Sequence, residues 1–316
     1  PRRGRNRNNV VYEVSVRVAV CVTVPEDFRE PNCVQYAQGW KPEGLIQEYA
    51  GGGASGSITR PRLKYSVFGY LNIDGPSRDG GVMRSRAKYV GPQIIDASGA
   101  TASNPAVEWN LLTGELLPNP NRADADATNE LNGLTGLHAI QFSGVINYIN
   151  RFGEVPTSKT SLKSQDPVSE LYYTALRYIK RQDPVPEYST LTGNASNRHA
   201  QADGFPVVTT WNDPVAFRCQ ANVLLGIGDV NTWHDKNLPG PTLAASEPAK
   251  PGAVTDDTSV DVVRFMGLIN ELQAAQGHAL PAAAVDSWSG RDNSAYIAAL
   301  AYHANTQDLR PGMVGK

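Results

Sequence analysis

An apolar residue recurs at every second position in one segment near the start of the chain. Over residues 10–24 every even position is apolar and β-favouring, whereas the odd positions include Glu13, Ser15 and Arg17. A period of two predicts a strand with one face on a core. Because about fifteen residues exceed the usual length of a strand, we expect a bend or bulge within it. A shorter alternating segment, residues 63–73, predicts a second strand.

The middle of the chain lacks a sustained period. Residues 91–122 mix Pro, Asn, Gly and Thr, so short β pieces or irregular structure are expected there. Residues 123–130 carry Asp124 and Asp126 at alternate positions, as at the start of a calcium loop, but Asn129 stands where the turn glycine belongs. We therefore interpret residues 123–130 as a solvated loop.

Three amphipathic helices are predicted in the second half. The first begins after Asp166, which serves as an N-cap, with Pro167 in its first turn. Its predicted core face carries Val168, Leu171, Tyr172, Ala175, Leu176 and Ile179, and its predicted solvent face carries Glu170, Arg177, Lys180 and Arg181. Two further helices are predicted over residues 259–277 and 294–305, from an apolar stripe and an alanine-rich face.

A short apolar run, residues 222–227, predicts a buried strand that delivers Asp229 to its carboxyl end. Strands that alternate with helices favour an α/β sheet. Ions gather outside the carboxyl ends of such strands, so Asp229, with Asn231 and Asp235 after it, is a candidate calcium or magnesium ligand. The alternative is that Asp229 and Asn231 form only turn and capping hydrogen bonds.

Composition narrows the possible partners. The 316 residues include 29 basic and 31 acidic side chains, a formal net charge of -2. The chain therefore lacks the overall positive field that attracts nucleic acid, and we expect no nucleic-acid partner. No run of about 20 apolar residues is present, so we expect no membrane span.

Catalytic motifs are missing from the sequence. The serine elbow G-x-S-x-G, the H-E-x-x-H zinc pair and the glycine-rich nucleotide loops do not occur. We therefore expect no enzymatic activity and no nucleotide cofactor. The alternatives are a surface carbohydrate-active enzyme and a generic metal-dependent ligand-binding module. The enzyme would need a cleft with two carboxylates about 5 to 10 Å apart.

The three cysteines allow more than one arrangement. Cys21 and Cys33 are close enough in sequence to close a short loop, but two buried thiols fit the spacing equally well. Cys219 is left over, either buried and free or paired with a cysteine outside this chain.

A series of ordered strings resembles the N-terminal part of PilY1-type proteins (the PilC/PilY1 family), which are type IV pilus tip-associated adhesins. The strings are residues 18–22 (VAVCV), 80–84 (GGVMR), 88–91 (KYVG), 144–153 (GVINYINRFG), 166–173 (DPVSELYY), 203–207 (DGFPV), 211–214 (WNDP), 227–232 (IGDVNT) and 298–302 (AALAY). They keep their order and span nearly the whole chain.

The resemblance implies an extracellular protein at the pilus tip or outer-membrane surface of a Gram-negative bacterium, exported through the periplasm. It implies roles in pilus assembly, adhesion and surface sensing, with minor pilins and a host or abiotic surface ligand as partners. The implied fold is a von Willebrand A-like (Rossmann-like) α/β sheet with helices. Residues 1–316 would be a fragment of this one region, with a long β-rich or irregular insertion over about residues 50–160. The family's calcium-binding propeller would lie outside the chain.

The chain departs from the family pattern at the implied adhesion-type metal site. Asp229 resembles its last acidic residue, but the D-x-S-x-S loop that should begin the site is missing. We therefore expect an incomplete calcium or magnesium site at Asp229, Asn231 and Asp235. The oxidising compartment that the resemblance implies favours a disulfide between Cys21 and Cys33.

Overall fold

The strands form three separate antiparallel pairs in the part of the chain that the computed structural model describes. That part comprises residues 18–52, 59–72, 78–154, 162–163, 165–228, 232–242, 247–279 and 294–313. The pairs are β1 (Cys33–Tyr36) with β2 (Gly39–Pro42), β3 (Tyr65–Gly69) with β4 (Val82–Lys88), and β5 (Gln93–Ile95) with β6 (Thr101–Ser103). The hairpin of β5 and β6 confirms the prediction of short β pieces after residue 91. A von Willebrand A-like sheet stays a prediction.

Of the helices that the structure describes, six lie after residue 160. They are α1 (Leu45–Tyr49), α2 (Arg122–Asn132), α3 (Val145–Arg151), α4 (Val168–Ile179), α5 (Pro186–Ser189), α6 (Ala195–Ala202), α7 (Gly252–Thr255), α8 (Val262–Ala275) and α9 (Tyr296–Thr306). The three predicted amphipathic helices are confirmed as α4, α8 and α9. Within the described ranges, none of the helices combines the length and the apolar character needed to cross a membrane. The fold therefore mixes helices with small antiparallel sheets.

The largest apolar core lies where α4, α8 and α9 meet. Its buried side chains include Tyr173 and Leu176 from α4, Phe265 and Met266 from α8, and Leu300 from α9. Fully burying such a side chain contributes roughly 1.5–3 kcal/mol. This core fixes the position of α4, around whose first turn the candidate site is built.

The hairpin of β3 and β4 packs beside α3 and α4. A register shift between Tyr65 and Val67 bends β3. At Gly69 only glycine fits, because a β-carbon there would lie 1.7 Å from the hydroxyl oxygen of Tyr148 on α3. The close approach brings the strand's end against α3 and leads the chain toward the loop before β4.

The prediction for the faces of α4 is partly wrong, because Glu170 and Arg177 are buried rather than exposed. Arg177 donates hydrogen bonds to the carbonyl oxygens of Asp183 and Ala253. A charged side chain is stable in the interior where the fold supplies fixed partners of this kind. Those partners come from other parts of the chain, so the period of α4 could not reveal them.

The N-terminal strand prediction is wrong where it can be compared. Residues 10–17 lie outside the described residues, and residues 18–24 carry no strand. The chain turns here instead: Cys21 adopts a positive φ of 53° and its N–H donates to the carboxylate of Glu30. The second predicted strand, residues 63–73, is confirmed only over Tyr65–Gly69.

The solvated loop predicted over residues 123–130 is wrong, because these residues belong to α2. Alanines at alternate positions favour the helix. Asp124 is buried and forms an ion pair with Arg86, while Gly133 ends the helix in the left-handed conformation.

The buried strand predicted over residues 222–227 is also wrong. These residues form no strand in the structure, and Val223, Leu225 and Ile227 are exposed. The described sheets are small pairs elsewhere in the molecule, so no neighbouring strand covers this run.

Candidate functional site

Four carboxylates converge around the first turn of α4, and we call them the acidic cluster: Asp79, Glu170, Asp235 and Glu247. The charges of Asp79, Asp235 and Glu247 each raise the pKa of Glu170. Asp79, Glu170 and Asp235 are buried, and Glu247 is half-buried. Of these four, the sequence singled out only Asp235.

Asp235 caps the amino end of α4 from a distant loop. Its Oδ1 accepts hydrogen bonds from the main-chain N–H groups of Ser169 at 2.8 Å and Glu170 at 3.2 Å. Its Oδ2 accepts the hydroxyl of Ser169 at 2.5 Å. The first N–H groups of a helix have no partner within the helix and carry partial positive charge, so an acidic side chain is stabilised there.

Glu170 joins two further segments. Its Oε2 accepts the N–H of Gly80 at 2.7 Å, and its Oε1 accepts the N–H of Asn237 at 3.0 Å. The side-chain amide of Asn237 then donates to Asp79 at 2.5 Å and to the carbonyl of Pro248 at 2.6 Å. The carboxylates of Glu170 and Asp79 therefore connect α4, the loop at Gly80 and the segment at Asn237. These contacts are made by side chains and not by strand pairing.

Glu247 completes this arrangement by accepting the N–H of Lys236 with both carboxylate oxygens at 3.0 Å. The backbone at Gly80 has a φ of 67°, and a β-carbon there would lie 2.1 Å from the ring of Tyr188. The glycine thus lets the ring pack directly against the loop that carries Asp79. Among the described residues, the buried hydroxyl of Tyr188 has no hydrogen-bond partner.

Burial shifts the proton equilibria of the acidic cluster upward. It raises the pKa of Asp235 to about 8 and that of Glu247 to about 7. Burial also raises the pKa of Glu170 well above its usual range, and that of Asp79 more modestly. Like charges in a low dielectric cannot all ionise, so near neutral pH the cluster retains protons.

A basic group lies beside the cluster. Burial lowers the pKa of Lys163 to about 8, while Glu170 and Asp79 oppose that shift through their charge. The amine of Lys163 donates to the carbonyl oxygen of Arg78 at 2.5 Å. The cluster and Lys163 can therefore take up or release protons between about pH 7 and pH 8.

The described residues do not form a complete site for the expected cation. Asp229 and Asn231 lie outside the described residues, and both carboxylate oxygens of Asp235 already accept N–H or O–H donors. Within the described ranges, one group of three possible metal-ligand side chains has its ligand atoms within 4.8 Å of one another. It consists of Cys21, Glu30 and Cys33. The two sulfurs of that group are joined to each other. The calcium or magnesium site at Asp229, Asn231 and Asp235 stays a prediction.

The cysteine pairing is present in the structure as expected. Cys21 and Cys33 form a disulfide with an S–S distance of 2.04 Å across a sequence separation of 12 residues. Cys219 is free and exposed rather than buried.

Two surface grooves were compared with the cleft of a glycosidase, which needs two carboxylates facing each other. One, of about 250 Å³, lies between α4 and the chain after α9 and has Asp308 as its lining carboxylate, beside Arg218 and Arg310. The other, of about 490 Å³, lies beside α2 and has Asp126. Neither of these grooves pairs two carboxylates.

No local motif in the sequence points to Asp79, Glu170 and Glu247. The sequence feature that could have pointed to Glu170 is its position in the first turn of a predicted helix, where an acidic side chain is favourable. That position does not predict whether the side chain is buried. Their partners come from segments far apart in the chain, and only the folded structure brings these together.

Comparison with known proteins gives one match along nearly the whole chain. Over 312 residues, 96% of the chain, the sequence is 49% identical to a protein of Xylella fastidiosa described as "Type IV pilus biogenesis factor PilY1 homolog". The match covers 24% of that protein, so the chain spans about a quarter of the length of this curated relative. No family model matches the chain. No solved structure matches it either.

Proposed function

Because the chain belongs to the PilY1-type proteins, we propose that it takes part in type IV pilus biogenesis as a non-enzymatic component. The observation that carries this proposal is its close similarity, along nearly its full length, to a pilus biogenesis factor. The matched region is a minor part of that relative. The role proposed here is therefore that of one region within a longer polypeptide.

We further propose that this region acts in adhesion and surface sensing at the pilus tip or outer-membrane surface. Minor pilins and a host or abiotic surface ligand would be its partners. The disulfide between Cys21 and Cys33 supports an oxidising location outside the cytoplasm, because such bonds persist mainly there.

The acidic groups of the two surface grooves favour a binding function over carbohydrate hydrolysis. A glycosidase needs an acid and a second carboxylate facing one cleft. Each of the two grooves contributes a single carboxylate, Asp308 or Asp126. Within the acidic cluster Glu170, Asp235 and Glu247 instead accept main-chain N–H groups, and Glu170 and Asp235 are buried.

The test is an in-frame deletion of residues 18–313 from the full-length protein in its own bacterium. Surface pili are counted by electron microscopy, and attachment to a surface is measured in parallel. A strain with Leu137→Ala, a change at an exposed side chain, is the matched control. We expect the deletion to reduce pili or attachment and the control to leave both unchanged. Wild-type piliation and attachment in the deletion strain would contradict the proposal.

A further inference from the structure

A histidine is buried beside the apolar core where α4, α8 and α9 meet. His303 lies in the last turn of α9 and is 4% exposed. It shares one face of the helix with Ala299 and Leu300, which belong to that core. Among the residues that the structure describes, neither ring nitrogen of His303 has a hydrogen-bond partner. Buried polar groups without partners are uncommon in native proteins, so this ring calls for an explanation.

The surroundings of His303 offer no acceptor for a second ring proton. From α8, Phe265 places its ring against the imidazole, with the two centroids 5.1 Å apart and the planes steeply inclined. Lys180, directly after α4, and Asp257, between α7 and α8, act on the imidazole through their charges. The carboxylate of Asp257 already faces two cations, the amine of Lys180 at 3.4 Å and the guanidinium of Arg177 at 3.9 Å. In the described structure an imidazolium at this position would therefore be a buried charge without its own partner.

Protonation of the ring is unfavourable while α9 is docked. Burial lowers the pKa of His303 below its ordinary value, the charge of Lys180 adds to that shift, and the charge of Asp257 opposes it. The carboxyl end of a helix attracts a cation, but this attraction is smaller than the cost of an unpaired charge in an apolar core. Once α9 leaves the core, water solvates the ring and its pKa returns to about 6.5. Docking is therefore favoured above that pH and is weakened as the pH falls from about 6.5 toward the lowered value.

We propose that His303 makes the docking of α9 sensitive to pH, so that the helix packs on α4 and α8 at neutral pH and is released in acid. Release would uncover apolar side chains of the shared core, including Phe265 and Met266 of α8. Beyond the helix, Arg310 donates to both carboxylate oxygens of Asp213, at 2.8 and 2.7 Å, and these bonds lower the pKa of that carboxyl. This ion pair keeps its charges in mild acid, so it holds the chain after α9 in place while the helix opens.

Hydrogen exchange of the full 316-residue chain at pH 7.5 and pH 5.5, followed by mass spectrometry, tests this switch. Each rate is divided by the intrinsic rate at its pH. The protection of the α9 amides should then fall by up to about tenfold at pH 5.5, because the pKa of the solvated ring lies about one unit above that pH. His303→Leu keeps a side chain of similar size that cannot be protonated, and it should abolish the fall. The matched control is His278→Leu, at an exposed histidine, and it should keep the fall.

The acidic cluster cannot produce the expected fall. Burial raises the pKa of Asp235 and of Glu247, so these carboxyls stabilise the folded chain as the pH falls. The amides of α2, which packs in a different core, show in the same experiment whether the whole chain unfolds. They should keep their protection at pH 5.5.

Several results would overturn the proposal. Equal protection of α9 at the two pH values in the unaltered chain would mean that the core accommodates the imidazolium. A fall that survives His303→Leu would assign the effect to another group, and an equal fall in α2 would indicate global unfolding. NMR titration of the imidazole in the unaltered chain does not depend on any variant, and a pKa of His303 at or above about 6.5 would also contradict the proposal.

Discussion

Asp235 offers the sharpest test of the acidic cluster, because its proton equilibrium should link folding to pH. Burial raises the pKa of this carboxyl to about 8 in the folded chain, whereas an unfolded aspartate has a pKa of about 3.9. Between pH 5 and pH 7 the unfolded chain has therefore lost this proton while the folded chain keeps it. Folding takes up one proton, so the stability contribution is present at low pH and falls as pH rises toward 8.

The size of the change in unfolding free energy follows from the uptake of one proton on folding between pH 5 and pH 7. The free energy of unfolding should fall by about 1.4 kcal/mol per pH unit, or about 3 kcal/mol from pH 5 to pH 7, through Asp235 alone. Asp235→Asn removes the titration but keeps an oxygen that can accept the N–H of Ser169. The difference in unfolding free energy between the variant and the wild type should therefore move by about 3 kcal/mol in the variant's favour over that pH range.

Urea unfolding followed by tryptophan fluorescence at pH 5, 6 and 7 measures this difference. Asp126→Asn is the matched control, because Asp126 is an exposed carboxylate on α2, outside the acidic cluster. A difference between Asp235→Asn and wild type that stays constant from pH 5 to pH 7 would refute the reasoning. It would mean that Asp235 caps α4 as a carboxylate throughout that range.

Two further predictions concern covalent and steric constraints. Reducing the Cys21–Cys33 disulfide should lower the free energy of unfolding by about 3 kcal/mol, because its short loop restrains the unfolded chain. An unchanged urea midpoint with reductant would contradict this. Gly69→Ala should cost about 2 kcal/mol or more through its clash with Tyr148, whereas Gly267→Ala, in an open helix position, should stabilise by up to about 1 kcal/mol. Thermal unfolding compares the two variants, and equal losses would count against the close packing at Gly69.

The helices could be predicted because their signals are local. The apolar steps after Asp166 and the neighbouring proline lie within a few residues of one another. Helix α4 begins at Val168, and Pro167 rather than Asp166 takes the N-cap position. Burial of Glu170 could not be predicted in the same way. Its partners, the N–H groups of Gly80 and Asn237, lie 90 and 67 residues away in the sequence.

The sequence predicts the candidate site at one residue and for a different reason. It presents Asp235 as an oxygen ligand after a predicted strand, whereas in the structure Asp235 caps α4. Both roles use the side-chain oxygens of Asp235 as acceptors, and the sequence does not say whether the positive charge opposite them is a cation or the end of a helix dipole. Asp229, the residue on which the cation prediction chiefly depends, lies outside the described residues.

The failure at residues 222–227 has a physical cause that bears on the rest of the molecule. An apolar run predicts that a segment is stable when it is buried. It does not identify the neighbouring strand that buries it, because strand partners are often distant in sequence. The helices carry their main-chain hydrogen bonds within themselves, so they form wherever one face can pack, as Leu176 and Phe265 do. A strand completes its hydrogen bonds only with a neighbour. In the described structure residues 222–227 pair with none of the three small sheets, so Val223 and Leu225 are exposed although the run has the composition of a buried strand.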